Sequence, residues 1–320
     1  WLTGVLLLVG GTVALHGQAI SETKLAYDDF EYKSSFDGTA PLYAAVVCPE
    51  AGENLPAMVV MHGYWGNRTD VKYSAERLAQ RGYFCICPQT RGWGAPDKGV
   101  TLSAGKHDDG GIETMDIYDA IQEALRRYPG RIDPTRMAML GYSNGGAMTY
   151  FATVRFPYLF RGAMAFFGIP DYGRWFVLHP GFGNQVRMAV GQTPEEAPDR
   201  YLARSAILAA GNLGSIRFHI VHDEEEQLCP LPMVNEFIAA TQKAGCPNLF
   251  VHESKKTDQV RWLHGYNTPA NGLSPAEDLF VDDLEKAKAV APAMPAQGEL
   301  TVIRSEEHTS ELQSPSVNSY

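Results

Sequence analysis

"RMAMLGYSNGGAMTYFATVRF", residues 136–156, is the stretch on which the reading of the chain turns. Met137–Leu140 form an unbroken apolar run of the kind a strand buried on both faces requires, and the residues from Asn144 to about Arg155 suit a helix. Ser143 stands at the junction, with Gly141 two residues before it and Gly145 two residues after. A strand that turns directly into a helix forces its corner residue into a strained backbone and crowds the positions two on either side, where a missing side chain relieves the clash. In this context the spacing G-x-S-x-G presents a hydroxyl at the carboxyl edge of a sheet, where the ligand crevices of open α/β folds lie. Ser143 is therefore read as a nucleophile rather than a plain turn serine.

The surrounding chain keeps the same rhythm. "LAYDDFEYKSSFDGTAPLYAAVVCP" predicts a hairpin about Asp37-Gly38. "AMVVMHG", a helix "DVKYSAERLAQRG" capped by Asp70 and stopped by Gly82, and the strand "YFCICPQTRG" follow. After a loop at 91–111, Ile112, Met115, Tyr118, Ile121 and Leu125 recur at helical spacing. Strands are expected at "RMAMLGYS", "GAMAFFGIP", "IRFHIVH" and "NLFVHES", with helices at "MVNEFIAATQKAG" and "SPAEDLFVDDLEKAKAV". Residues 171–212 break the alternation and read as an insertion or small cap. Alternating strands and helices imply a mostly parallel central sheet with helices on both faces, so the fold class is α/β.

Composition narrows the function. With 20% charged residues, 45% hydrophobic residues and a net charge of −10, the chain fits a globular enzyme, and no Lys/Arg cluster interleaves with aromatics, which sets nucleic-acid binding aside. "WLTGVLLLVGGTVALHGQA", closing on Gly17-Gln18-Ala19, reads as a signal peptide over 1–19, truncated at its start, so the protein is expected to be secreted or periplasmic. The run is too short and glycine-rich for a membrane span. "RSEEHTSELQS" reads as a translated sequencing adapter, making 304–320 a non-native tail and 20–303 a single domain. Of the five cysteines, Cys85 and Cys87 read as buried small hydrophobes, and a Cys229–Cys246 bridge stays open. No Cys/His spacing matches a zinc site, and neither a metal nor a cofactor is called for.

A serine hydroxyl needs a base, and the base an orienting carboxylate; in this architecture they follow in the order Ser, acid, His. "HIVHDEEEQLCP" puts Asp223, Glu225 and Glu226 just after a strand, and "RWLHGYN" puts His264 in a late loop. His264 is taken as the base over His62, His107, His179, His219, His222 and His252, which come too early, lie too near the acid or sit inside a strand. The backbone N–H of Asn144, at a helix start, can hold a developing oxyanion, and Tyr64 in "HGYWGN" supplies the second donor. Each such donor lowers a barrier by roughly 3 to 4 kcal/mol.

Residues from about 24 to 291 resemble an α/β-hydrolase and, within it, the prolyl-oligopeptidase and acyl-esterase branch, which includes dienelactone-hydrolase-like enzymes. The resemblance rests on "HGYWGN", "GRIDPTRMAMLGYSNGG", "ARSAILAAGNLGSIRFHIVHDEEEQLCP" and "LHGY". It implies a triad of Ser143, Glu226 and His264. The branch usually has Gly after the strand-end His and Asp as the acid; here Asp223 and Glu226 stand there, so Asp223 and Glu225 remain rivals. The expected activity is hydrolysis of carboxylic esters carried by small molecules, polysaccharides or polyesters, because large peptidases of the branch carry a gating domain for which this chain has no room. Trp65, Trp93, Tyr142, Trp175 and Tyr266 are candidate pocket walls, core packing being the alternative for each. A single-domain serine peptidase and a non-catalytic binding protein are the rival readings.

Overall fold

Eight strands hydrogen-bond in the order β1-β2-β4-β3-β5-β6-β7-β8. The computed structural model describes residues 23–259, 261, 262, 264 and 274–292. The expected signal peptide and tail lie outside these residues.

β1 (Leu25–Tyr32) and β2 (Leu42–Pro49) form the expected antiparallel hairpin, and β2 runs antiparallel to β4 (Phe84–Pro88). From there every pairing is parallel, through β3 (Leu55–Met61), β5 (Ile132–Tyr142), β6 (Gly162–Phe166), β7 (Arg217–Asp223) and β8 (Leu249–Ser254). The central strands are buried on both faces, as their continuous apolar runs require: Met58–Val60 and Ala138–Leu140 are fully covered.

The covering helices are α1 (Lys72–Gln80), α2 (Glu113–Arg127), α3 (Asn144–Arg155), α7 (Leu231–Lys243) and α8 (Ser274–Lys286). Among the described residues no helix is long and apolar enough to cross a membrane. Two helix expectations are corrected. Residue Val71 precedes α1 and makes no side-chain cap; the Asp70 carboxylate turns back to accept from the Asn67 N–H and Nδ2, which fixes the loop after β3 instead. The buried face of α2 is Ile117, Ala120, Ile121 and Ala124, one position round from the expected stripe, leaving Ile112, Met115, Tyr118 and Leu125 half-buried. Glu113, Thr114, Asp116 and Asp119 take the remaining buried positions, Asp116 by pairing with Arg91 Nε at 2.6 Å.

The insertion holds α4 (Tyr172–Leu178), α5 (Pro180–Val190) and α6 (Pro198–Leu202), followed by a 3-10 segment, Ile207–Leu213. Between α6 and the 3-10 segment the helical run is broken where Ser205 bridges Asp171. All five cysteines are free, so Cys229 and Cys246 form no bridge; Cys229 is buried, whereas the Cys246 thiol lies against the carbonyls of Ala210 and Gly211.

Candidate active site

Between β5 and α3, Ser143 has φ 55° and ψ −116°, a left-handed conformation that costs a non-glycine residue about 1–3 kcal/mol. Neighbouring backbone enforces it. A Cβ on Gly141 would lie 2.2 Å from the Gly145 carbonyl oxygen, and one on Gly145 would lie 2.4 Å from that of Met61, so neither position accepts a side chain. The Ser143 N–H donates to Phe166 O on β6 at 2.8 Å, which pins the corner to the next strand.

The loop after β3 arrives beside this corner: a Cβ on Gly63 would sit 3.5 Å from Ser143 Cβ. His62 fixes the loop. Its Nε2 accepts from the Thr90 N–H at 3.1 Å, so Nδ1 carries the proton and donates to Gly63 O at 2.9 Å. Burial pushes its pKa down to about 4, keeping the ring neutral. His62 is thus a bracing residue. Among the described residues, the N–H groups of Tyr64 and Asn144 have no protein acceptor, which leaves both available to a ligand oxygen.

Glu226 and His264 come together from separate loops, one after β7 and one after β8. Glu226 Oε1 lies 3.2 Å from His264 Nδ1 and also accepts from the N–H groups of Leu228 at 2.8 Å and Cys229 at 2.9 Å. Burial works against a charge here, but the His264 bond and the two N–H groups outweigh it and hold the carboxyl below its usual range. A carboxylate can only accept, so Nδ1 carries the proton and Nε2 keeps the lone pair. The rival acids have other partners. Asp223 is bound by Ser254 Oγ at 2.6 Å and by Arg261, and Glu225 pairs with Arg261 at 2.9 Å and Lys256 at 3.1 Å.

The His264 ring packs on Phe167, with centroids 5.2 Å apart, and Phe167 follows the residue that holds the Ser143 N–H. Among the described residues no hydrogen bond joins Ser143 Oγ to His264; the two approach through Phe166 and Phe167.

The candidate pocket aromatics divide. Trp65 is 64% exposed on the same loop as Tyr64, and its ring meets Phe182 of the insertion at 6.2 Å. Trp93 is half-buried against His107, centroids 4.3 Å apart. Trp175 is buried and its indole N–H donates to Leu228 O at 2.6 Å, so it braces the turn carrying Glu226. Tyr142 is corrected: its hydroxyl runs toward α1 and α8, bonded to Ser74 Oγ at 2.8 Å and to Glu277, so it is engaged in packing between elements. Tyr266 lies outside the described residues.

The sequence reading passed over one buried group. In the loop "GKHDDGG", the His107 ring contacts the carboxylates of both Asp109 and Glu113, and the Tyr64 hydroxyl donates to Asp109. Burial opposes a charge on His107, but the two carboxylates overcome it and raise its pKa to about 10. An imidazolium therefore sits edge-on to the Tyr64 ring, centroids 5.2 Å apart, behind the loop that offers the Tyr64 N–H. A His followed by two acids just before a helical Glu was the available signal.

Comparison with known proteins agrees with this architecture. Residues 69–261 match the prolyl oligopeptidase family, and the chain belongs to that family of serine hydrolases. A curated relative, the uncharacterized peptidase YuxL of Bacillus subtilis (strain 168), is 27% identical over 198 residues, 59% of this chain and 27% of its own length. Among solved structures, the acylaminoacyl peptidase of Pyrococcus horikoshii superposes with a TM-score of 0.66 at 20% identity, covering 86% of this chain and 43% of its own. A putative dienelactone hydrolase from Klebsiella pneumoniae superposes with a TM-score of 0.55 at 17% identity, covering 81% of this chain and 98% of its own. These likenesses establish the α/β-hydrolase fold. The chain spans less than half the length of the peptidases it matches.

Proposed function

We propose that this protein is a serine peptidase in which Ser143, His264 and Glu226 form the catalytic triad. The observation that carries the reading is the strained corner at Ser143, for which a turn serine has no need. The Ser143 hydroxyl attacks a peptide carbonyl while His264 Nε2 takes its proton, and the Nδ1–H bond to Glu226 steadies the imidazolium that forms. The N–H groups of Tyr64 and Asn144 receive the oxyanion. His264 returns the proton to the leaving amine, and water releases the acyl group from Ser143 by the same steps.

The choice of amide over ester rests on the family match and on the peptidases among the proteins it resembles. The expectation of ester preference rested on chain length, which carries no weight in a sequence spanning only part of its relatives. Export, expected from residues 1–19, stands as a proposal on the same sequence pattern.

The test compares peptide p-nitroanilides with p-nitrophenyl acetate and butyrate, using the protein and its Ser143→Ala variant. The proposal expects anilide cleavage that the variant loses. Ester turnover without anilide cleavage would return the assignment to an esterase, and activity surviving Ser143→Ala would remove the mechanism.

A further inference from the structure

We propose that Glu226, Cys229 and His264 form a zinc-binding site whose occupation switches the hydrolase off. A carboxylate oxygen, a thiol sulfur and an imidazole nitrogen from these residues all lie within 4.8 Å of one another. Tetrahedral zinc, with bonds of about 2.0–2.3 Å, places its ligands about 3.3–3.8 Å apart. Glu226 Oε1 and His264 Nδ1 already stand at 3.2 Å, so closing the set asks for a movement of about 1 Å at its widest pair. Sulfur and imidazole nitrogen beside one carboxylate suit zinc, whereas magnesium and calcium take oxygen ligands.

The surroundings suit a metal ligand set as well. The N–H groups of Leu228 and Cys229 orient the Glu226 carboxylate, the kind of supporting contact that fixes metal ligands elsewhere. Cys229 is 2% exposed and the Glu226 side chain 2%, while the His264 side chain, at 16%, is the most exposed of the three. Three protein ligands leave a fourth position for water. The sequence hid the set because Glu226 and Cys229 come from the turn before α7 and His264 from a loop beyond β8.

Binding is balanced by proton movements alone. Cys229 loses its thiol proton to solvent as the zinc–sulfur bond forms. The proton on His264 Nδ1 is given up as that nitrogen binds the metal, and the neutral ring carries its proton on Nε2 instead. A ring protonated there has no lone pair for the Ser143 proton, so turnover stops. Zinc binding itself is independent of the assigned activity; the inhibition rests on that activity.

The test titrates zinc chloride into the full chain carrying Ser143→Ala, by calorimetry, beside the same chain with Cys229→Ser added. Cobalt(II) is then used in place of zinc to read thiolate ligation from its charge-transfer absorption. The expected result is one zinc per chain, a cobalt–thiolate band, and at least tenfold weaker binding with the band lost in Cys229→Ser. Wild-type hydrolysis should fall with zinc and recover with EDTA. Should Cys229→Ser not fold, Cys229→Ala gives the same comparison. Equal zinc affinity with and without Cys229, or a missing band, overturns the site; Cys229-dependent binding that leaves hydrolysis untouched overturns the switch. Cys229-dependent binding in a wild-type chain without hydrolytic activity would instead remove the peptidase reading and leave the metal site standing.

Discussion

Ser143 is held by main chain: two glycines without room for a Cβ, a carbonyl of β6 on its N–H, and the loop after β3 against its flank. Glu226 and His264 are held by contacts between loops: a carboxylate on two N–H groups, an imidazole on that carboxylate, and a phenyl ring beneath it. The first arrangement is fixed once the sheet forms. The second depends on side chains that meet only when the turn after β7 and the loop after β8 are both in place.

The sharpest way to break this contrast is at the acid. Glu226→Gln should lower kcat by about 10³–10⁴-fold, since it removes the negative charge that steadies the imidazolium and offers His264 an amide in place of an acceptor-only carboxylate. Asp223→Asn, which loosens Arg261 instead, should change kcat by less than about tenfold while costing stability. Equal losses of kcat would put Asp223 back among the acids.

On the main-chain side, Gly145→Ala should destabilise the fold by about 3 kcal/mol or more, measured by urea unfolding, because its Cβ would meet the carbonyls of Met61 and His62. Gly82→Ala is the control. At φ 89° with open space around it, Gly82 carries only the left-handed penalty of about 1–2 kcal/mol. Similar losses at the two sites would show that close approach does not set the corner.

His107→Gln should cost about 3 kcal/mol near neutral pH by leaving the buried Asp109 and Glu113 carboxylates without the cation between them. The folded pKa is raised from 6.5 to about 10, so the stabilisation is complete below about pH 6.5 and is lost as pH rises through about 10. The gap between wild type and variant in urea midpoint should therefore close on going from pH 7 to above pH 10. The smallest effect is expected at Trp65→Ala: stability within about 0.5 kcal/mol, as for other exposed sites, and a few-fold rise in KM.

The same contrast explains what the sequence revealed. The corner was legible because its constraint is written in glycine spacing within six residues, and the positions of the strands followed from apolar runs. The proposed acid was not uniquely legible, because Asp223, Glu225 and Glu226 differ in partners that lie far along the chain: Lys256, Arg261 and His264. Tyr142 was misread for a related reason. Its place beside Ser143 suggested a pocket, while its hydroxyl is claimed by Glu277 on α8, more than a hundred residues on. Asp70 resembled a helix cap because cap chemistry and loop chemistry use the same side chain.

Leu228 is gripped from both sides: its N–H points to Glu226 and its carbonyl receives the Trp175 indole from α4. The insertion is thereby tied mechanically to the carboxylate. Bulk that tilts α4 would pull on that residue and register at Glu226 as slower turnover of every substrate alike, so repacking around Trp175 changes speed before it changes choice.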